Sequence, residues 1–384
     1  MEVYLDNSAT TKVRKEVIDK MVDVMENEYG NPSSVHLKGY KAEKILLESR
    51  RNVAKLLGCE TDEIIFTSGG TESNNFALRG IAYGMKRLGN HIITSKIEHP
   101  SVLNVMKQLE EDGYDITYLD VDNCGKVDLN ELRDAINDKT ILISIMAVNN
   151  EIGTIEPIED IAKLKEKAKN AYFHVDGIQA VGKIELDVKS QKIDLLSLSG
   201  HKMHGPKGIG AIYIKRGVKI KPILYGGGQE GNLRSGTENL PGIVGLGEAC
   251  RLIKENIHEY ESKLIHLKKR LYDGIKSEIS DIHLNGPDID KGAPQILNVS
   301  FLGVRGEVLL HALEEKGIYV STGSACSSHK NTESHVLKAI GLSHEYIEGA
   351  IRFSFSIFNT DEEIDYTIDA LKDKVNFLRK YKRR

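Results

Sequence analysis

Apolar positions along the first 240 residues follow two alternating spacings. Short apolar runs of strand length are separated by longer segments in which apolar residues recur every three or four positions, as on one face of a helix. The runs lie at 63–66, 91–94, 115–119, 141–146, 172–175, 195–198 and 209–214, and the helical segments lie at 13–28, 38–57, 70–87, 100–111, 129–136 and 158–169. Strands that alternate with helices predict an α/β fold with a mainly parallel sheet and helices on both of its faces.

The pattern changes after Gly242. The later elements are a long helix over about 243–279, strands over 296–301 and 351–355, and helices over 307–315 and 361–380. We therefore predict an N-terminal arm over residues 1–15, a large domain over 16–240 and a smaller α+β domain over 241–384. The opening helices are placed in the large domain, and their packing on the small domain is left open.

The composition is that of an ordinary soluble globular protein, with 40% hydrophobic and 28% charged residues. A net charge of −4 gives no electrostatic reason to expect direct nucleic-acid binding. The four cysteines form no CxxC pair, no apolar run approaches a membrane span, and no signal-like segment opens the chain. We expect a cytoplasmic protein without a membrane segment. The basic tail at 379–384 is interpreted as a solvated helix end, with docking of RNA or a partner as the alternative.

The segment around Lys202 indicates the most specific chemistry. An apolar run ends in Ser-Gly-His-Lys-Met-His-Gly-Pro at 199–206, which places one lysine directly after a core strand. A lysine that forms a Schiff base needs a fixed position and surroundings that favour its neutral amine. Ser199 and His201 could reach a phosphate group. A metal site at His201 and His204 is the alternative, but no further cluster of potential ligands lies nearby in the sequence, and we expect no metal.

A second ligand-binding signal is the sequence Ser-Gly-Gly-Thr at 68–71, between a predicted strand and a predicted helix. Gly70 lets the backbone approach a ligand closely, the helix start offers free N–H groups to a phosphate, and Thr71 adds a hydroxyl group. A tight turn with a helix cap explains the same residues without a ligand.

Further polar residues follow the predicted strands, where open α/β sheets bind ligands. Asp176 could hold a pyridine nitrogen protonated, and Gln179 could donate to a phenolic oxygen. His99 could stack on a flat ring, and Asn149 could bond the phenolic oxygen or the substrate. Arg352 lies in an apolar strand, where it could bind a carboxylate bidentately or form an internal salt bridge. In isolation, each residue also has a structural explanation in a turn, a cap or an ion pair.

Cys326 differs from the other three cysteines. It lies in the small polar sequence Thr-Gly-Ser-Ala-Cys-Ser-Ser-His at 322–329, whereas Cys59, Cys124 and Cys250 lie in helical or turn contexts and are interpreted as structural. Small flanking residues suit a thiol that must travel to a substrate and then away from it. A loop cysteine without a function is the alternative.

These motifs, in this order, resemble the NifS/IscS-type cysteine desulfurases, which are pyridoxal-phosphate (PLP) enzymes of the aminotransferase class V family. The likeness runs from Tyr-Leu-Asp-Asn-Ser-Ala-Thr-Thr at 4–11 to the strand that contains Arg352. It implies the aspartate aminotransferase-like fold type I, PLP as cofactor and a homodimer. It also implies Lys202 as the cofactor's Schiff-base lysine, Cys326 on a loop at about 321–333 as the nucleophile, and His99 as the catalytic residue stacked on the ring. The remaining implied contacts are Gly70, Thr71, Asn149, Asp176, Gln179, Ser199 and His201 with the cofactor, Thr237 with the phosphate of the neighbouring subunit, and Arg352 and Asn149 with the substrate.

The implied reaction converts L-cysteine to L-alanine and leaves a persulfide on Cys326 for an acceptor protein of iron–sulfur cluster assembly or tRNA thiolation. The loop sequence is similar to the branch with a long, mobile catalytic loop, and the Arg-x-Gly-His-His-Cys pattern of the branch with selenocysteine lyases is absent. Ser8 stands where many members have Ala, and Gly231 stands where many members have Arg. The alternatives are an aminotransferase or selenocysteine lyase of the same fold, and a sulfur carrier that needs no PLP.

Overall fold

Seven strands form the central sheet of the computed structural model, which describes residues 1–322 and 333–381. Numbered along the whole chain, they are β2 (Ile64–Thr67), β3 (His91–Ser95), β4 (Asp115–Leu119), β5 (Thr140–Met146), β6 (Tyr172–Asp176), β7 (Leu195–Ser199) and β8 (Gly210–Ile214). Their spatial order is β2-β8-β7-β6-β5-β3-β4, and β8 alone runs against the other six. Every residue of β5, β7 and β8 is buried, which explains their continuous apolar runs. The prediction of a mainly parallel sheet is confirmed.

Six helices precede or connect these strands. They are α1 (Lys15–Asn27), α2 (Leu37–Leu57), α3 (Gly70–Met85), α4 (Pro100–Glu111), α5 (Leu129–Ala135) and α6 (Ile158–Lys165). α4 has its predicted bounds because Pro100 occupies the first turn and the His99 side chain accepts a hydrogen bond from the Ser101 N–H. The helix predicted to reach residue 169 ends at Lys165 instead. Beyond it, Ala168 N–H donates to Lys165 O and Ala171 N–H donates to Ala168 O, so tight turns replace the helical ladder.

The 39-residue helix α7 (Leu240–Glu278) contributes to the two largest hydrophobic clusters among the described residues. Its first half, up to Ile253, contributes to the cluster beneath the central sheet, and its second half, from Leu264, contributes to the cluster of the C-terminal part. α1 and α2 both pack on α7. The predicted domain boundary near residue 240 therefore falls at the start of this helix. The change from one hydrophobic cluster to the other occurs further along the helix, between Ile253 and Leu264.

The C-terminal part is built around a three-stranded antiparallel sheet in the order β12-β10-β9. The strands are β9 (Ile282–Leu284), β10 (Ile296–Phe301) and β12 (Ala350–Ser354), and the helices are α8 (Gly306–Glu314), α9 (His335–Ala339), α10 (His344–Glu348) and α11 (Asp361–Tyr381). The sequence pattern did not indicate β9, α9 or α10, because elements of three to five residues are too short to show a period. Within the described part of the chain, none of the helices has the length and apolar character that a membrane span requires.

The N-terminal arm is not irregular throughout. Strand β1 (Val3–Tyr4) pairs in parallel with β11 (Ile318–Tyr319), and Asp6 forms a bridge to Ser354 of β12. The next residues cross to the large domain, where Thr11 N–H donates to His201 O. A two-residue strand that pairs across more than three hundred residues has no local signature, so the sequence did not predict it.

A buried ion pair anchors the Gly-rich loop of residues 226–238. Both terminal guanidinium nitrogens of Arg50 donate to Glu230, at 2.6 and 2.7 Å, and Phe66 N–H donates to the same carboxylate. Gly231 follows in the left-handed region, at φ 65°, where a side chain would be strained, although a Cβ would meet no atom within 4 Å. The loop is therefore tied to β2 and α2 rather than being a free linker.

We predict that Glu230→Ala lowers the free energy of unfolding by roughly 3 kcal/mol, because it leaves the Arg50 charge buried without its partner. Denaturant unfolding monitored by circular dichroism measures the change. Asp62→Ala is the control, since it removes the carboxylate of an exposed bidentate pair with Arg216 and should change stability little. Equal losses in the two variants would contradict the prediction.

Candidate active site

A cavity of about 600 Å³ opens at the carboxyl ends of β5, β6 and β7, and residues of the C-terminal part complete its lining. Nine of the predicted site residues line it: Gly70, Thr71, His99, Asp176, Gln179, Ser199, His201, Lys202 and Arg352. They come from segments that are far apart in sequence, and they meet where parallel strands end and their connecting loops begin. Thr237 and Asn149 are not among the lining residues, and Cys326 lies outside the described residues.

Lys202 lies in the short turn that follows β7. Its side-chain amine donates hydrogen bonds to the carbonyl oxygens of Ser8 and Ala9, the latter at 2.8 Å. Gly205 N–H and Met203 N–H both donate to Gly200 O, which closes the turn tightly around the lysine. The predicted fixed position is thus present, and the arm supplies the carbonyl oxygens that hold the amine.

Asp176 is the last residue of β6 and is buried. One carboxylate oxygen accepts from Ile178 N–H at 3.0 Å, and the other accepts from the Asn74 side chain at 2.8 Å. Burial raises the pKa of Asp176, while these hydrogen bonds and the charges of His99 and Lys202 favour its ionised form. Asp176 therefore lines the cavity, and its carboxylate interacts electrostatically with Lys202, which lines the same cavity.

Asn74 is a site residue that sequence reasoning missed. Besides Asp176, its amide nitrogen donates to the Ser101 hydroxyl at 2.9 Å, so one side chain links α3, α4 and β6. The adjacent asparagine in the Asn-Asn sequence at 74–75 is only partly buried and donates to Thr71 O, and nothing in the sequence distinguishes the two.

His99 is held as a neutral imidazole. Its Nδ1 atom accepts from the Ser101 N–H at 3.1 Å and lies 2.8 Å from the Ser101 hydroxyl. An Nδ1 that accepts a backbone N–H leaves the ring proton on Nε2. Burial lowers the pKa of His99, although the nearby Asp176 acts in the opposite direction.

The loop before α3 forms a cradle for an anionic group. Gly69 has φ 149°, and a Cβ on Gly70 would lie 2.2 Å from the Ile178 side chain, so the backbone can approach only without side chains. The first-turn N–H groups of α3 have no partners within the helix. Ser199 is buried beside this loop, and burial together with the Lys202 charge lowers the pKa of His201 to about 4.

Gln179 and Asn149, which are both predicted to contact the cofactor, are placed differently relative to the cavity. Gln179 lines the cavity and donates through its amide nitrogen to Ser8 O at 3.0 Å. The Asn149 amide instead donates to Ile97 O and to the Met146 sulfur, and its oxygen accepts from Glu151 N–H and Ile152 N–H. Asn149 therefore stabilises its own turn from behind the wall, and its role toward cofactor or substrate stays a prediction.

Arg352 is buried in β12 and faces the cavity from the C-terminal part. One guanidinium nitrogen donates to Asp6 at 2.8 Å and another donates to Asn150 O at 3.0 Å. The third nitrogen, Nε, is buried and has no hydrogen-bond partner among residues 1–322 and 333–381. The internal salt bridge is thus present, and the guanidinium group also lines the cavity.

Other wall residues were not identified from the sequence. Glu151 is buried and accepts a hydrogen bond from the Ser334 hydroxyl, and burial raises its pKa. His335 contacts the backbone carbonyl of Glu98 at 3.0 Å. These contacts join segments about 180 and 240 residues apart, so no local pattern could reveal them.

Comparisons with known proteins agree with this geometry. Residues 3–367 match the family model described as aminotransferase class-V. The cysteine desulfurase IscS of Methanosarcina thermophila is 50% identical over 377 residues, covering 98% of this chain and 93% of that protein. IscS of Clostridium botulinum is 49% identical over 371 residues, covering 96% and 93%.

Solved structures share the same architecture. A NifS-like protein superposes with a TM-score of 0.93 at 40% identity, covering 98% of this chain and all of that one. A structure titled SspA in complex with cysteine has a TM-score of 0.82 at 37% identity, covering 93% of this chain and 100% of that one. The apo cysteine desulfurase of Thermococcus onnurineus NA1 has a TM-score of 0.88 at 27% identity, covering 98% and 95%.

The fold and the cavity define a PLP-dependent enzyme of fold type I, and the chain belongs to the aminotransferase class-V family. Within that family it is a cysteine desulfurase of the NifS/IscS type. The residues present fit PLP, because an anion-binding loop, a buried carboxylate and a lysine amine line the same cavity.

We predict that His99 titrates below the ordinary imidazole value of about 6.5. Its neutral form stabilises the turn before α4 at neutral pH, and this contribution is lost as the pH falls through the lowered folded-state value, because a proton on Nδ1 displaces the Ser101 N–H donor. Histidine NMR of protein freed of cofactor, assigned with His99→Gln, measures the titration. A midpoint above the ordinary value would show that the Asp176 charge outweighs burial.

Proposed function

We propose that this enzyme converts L-cysteine to L-alanine and retains the released sulfur as a persulfide on Cys326. The observation that carries the proposal is the meeting of Lys202, Asp176 and Arg352 in one cavity, from three separate parts of the chain. The solved SspA structure contains cysteine, and it is similar to this chain over nearly its whole length. This similarity supports L-cysteine as the substrate.

Lys202, Asp176 and the loop at 69–71 would hold PLP. When bound, PLP supplies an electron-withdrawing ring that is conjugated to the substrate's amino group. Asn74 and Ile178 each donate one hydrogen bond to an oxygen of Asp176, which favours its ionised form and leaves it able to accept a further donor from the cofactor. The Ser8 and Ala9 carbonyls hold the lysine amine near its working position.

Arg352 would orient the substrate by its carboxylate. The guanidinium group offers its cavity-facing edge while Asp6 and Asn150 O hold two of its nitrogens in place. His99, neutral and with its proton on Nε2, would move a proton at that atom. Arg352 would thereby hold the substrate by its carboxylate, and His99 would act as an acid–base group at the other end of the substrate.

The sulfur transfer balances without an added oxidant. The thiolate of Cys326 forms a bond to the substrate sulfur, the carbon–sulfur bond of the substrate breaks, and that carbon takes a proton to give alanine. The other three cysteines are unsuited to this role. Burial raises the pKa of Cys59 to about 12 and also raises those of Cys124 and Cys250, and none of the three lines the cavity.

A homodimer would complete the site. Thr237 is exposed on the Gly-rich loop outside the cavity of its own chain, and Tyr225, immediately before this loop, has 80% of its surface exposed. Arg234 pairs with Glu72 at 2.8 Å, which holds this loop close to the cradle side of α3. These features support Thr237 as a contact to the partner subunit's phosphate group.

The acceptor of the sulfur is proposed to be an iron–sulfur scaffold protein or a tRNA-thiolation enzyme in the cytoplasm. The name of the IscS relatives supports the first. At the basic C-terminal end of α11, Arg379 donates to the backbone carbonyls of residues 280, 281 and 302, so this side chain is used within the fold and does not favour one acceptor over the other.

We predict that wild-type protein mixed with L-cysteine, without reductant, gains one sulfur atom by intact mass spectrometry and produces alanine. Cys326→Ala should produce no protein-bound sulfur, because it removes the attacking thiol. Cys124→Ala is the matched control and should behave like wild type. Alanine that forms only with added pyruvate, or added sulfur that persists in Cys326→Ala, would overturn the proposal.

We predict that Arg352→Lys raises the KM for L-cysteine by roughly 10- to 100-fold, because an ammonium group cannot bind a carboxylate bidentately. Steady-state alanine formation measures the change, with a smaller effect on kcat. Arg270→Lys, which alters an exposed pair with Asp365 on the outer surface, is the control. An unchanged KM would mean that Arg352 serves only its salt bridge with Asp6.

A further inference from the structure

Lys183 is a buried lysine whose amine contacts the backbone of Lys202, the proposed cofactor lysine. It lies in the turn after β6, where Lys183 N–H donates to Ala180 O and Gly182 has φ 78°. Its own side chain is 6% exposed, and its amine donates to the backbone carbonyl of Lys202. No sequence feature distinguishes Lys183, because lysines are mostly found on the surface.

The surroundings of Lys183 are cationic. Burial and the Lys202 charge lower the pKa of Lys183 to about 8. Burial and the Lys183 charge in turn lower the pKa of His204 to about 4, and Arg14 contributes in the same direction. Among the described residues, no carboxylate lies within ion-pair distance of the Lys183 amine, and Lys202 is the one charged group that affects its pKa.

Other charges also act on the Lys202 side chain. Asp176, at the end of β6, interacts with it electrostatically, as do His99 and His201, and all of these residues line the same cavity. The Lys202 nitrogen is therefore influenced by the Asp176 carboxylate in the cavity and by the Lys183 ammonium group at its own backbone carbonyl. A positive and a negative charge have opposite effects on the protonation of a nearby nitrogen.

We propose that Lys183 is a positioning residue for the cofactor lysine: its buried ammonium group holds the Lys202 carbonyl and places a positive charge behind the Lys202 side chain. The inference rests on the proposed role of Lys202. The hydrogen bond fixes the turn from which Lys202 projects, and the charge favours the neutral form of the Lys202 nitrogen. A lysine that must exchange its covalent partner with a substrate amine benefits from both effects.

Two variants separate the hydrogen bond from the charge. Lys183→Met removes both, whereas Lys183→Gln keeps an N–H donor for the Lys202 carbonyl and removes only the charge. In each loaded enzyme, the absorbance of the bound cofactor is titrated with pH, which reports the protonation of the nitrogen on Lys202. We expect the midpoint to rise by about one unit in both variants, the scale on which a neighbouring charge shifts a titration.

Lys268→Met is the matched control. Lys268 is 4% exposed, burial lowers its pKa to about 8, and its amine donates to the carbonyls of Gly292 and Ala293, away from the cavity. Its substitution should leave the midpoint unchanged, even if it lowers stability. Lys183→Arg, which keeps the charge, should titrate close to wild type.

A midpoint that stays at the wild-type value in Lys183→Gln overturns the charge effect. If Lys183→Met does not accumulate as folded protein, the Gln variant decides the outcome. Borohydride reduction followed by peptide mass spectrometry identifies the residue that carries the cofactor. Attachment to a residue other than Lys202 would overturn the proposed function itself, whereas attachment to Lys202 with an unmoved titration would overturn only the role of Lys183.

Discussion

The buried carboxylate of Asp176 is the constraint on which the site depends. A charge at the end of a core strand is costly unless donors and cations surround it. Asn74 and Ile178 donate hydrogen bonds to the carboxylate. The positive charges that Lys202 and His99 can carry favour its ionised form. Because these groups belong to different elements, the register of β6 on β7 and the packing of α3 and α4 must all be correct together. The cavity exists where these requirements are satisfied.

The N-terminal arm connects that constraint to the other half of the molecule. Its first residues extend the C-terminal part through β1, and Asp6 pairs with Arg352 across 346 positions of sequence. The following carbonyls, of Ser8 and Ala9, hold the Lys202 amine. Arg352 and Lys202 are therefore linked through four consecutive residues, from Asp6 to Ala9, which form one turn. A change in the arm would disturb both at once.

Predictions from the sequence were most accurate where the signal was local. α4 has its predicted bounds because a proline and a capping histidine mark its start, and the buried strands were visible as apolar runs. The predicted loops did bring nine site residues to one cavity. Asn149 shows the limit. Asn149 and Asn150 are adjacent and chemically identical, yet only Asn150 lines the cavity, because backbone geometry directs the Asn149 amide into its own turn.

The sequence by itself determined the order of strands and helices, the glycines of the cradle, and the residue types placed at the strand ends, since periodicity and turn chemistry depend on neighbouring residues. Only the tertiary structure decided that Asn74, Glu151, Lys183 and the Ser8 carbonyl belong to the site. Their contributions arise from burial and from charges acting through space. Both depend on distances between segments that the chain brings together only when it folds, so no stretch of sequence contains them.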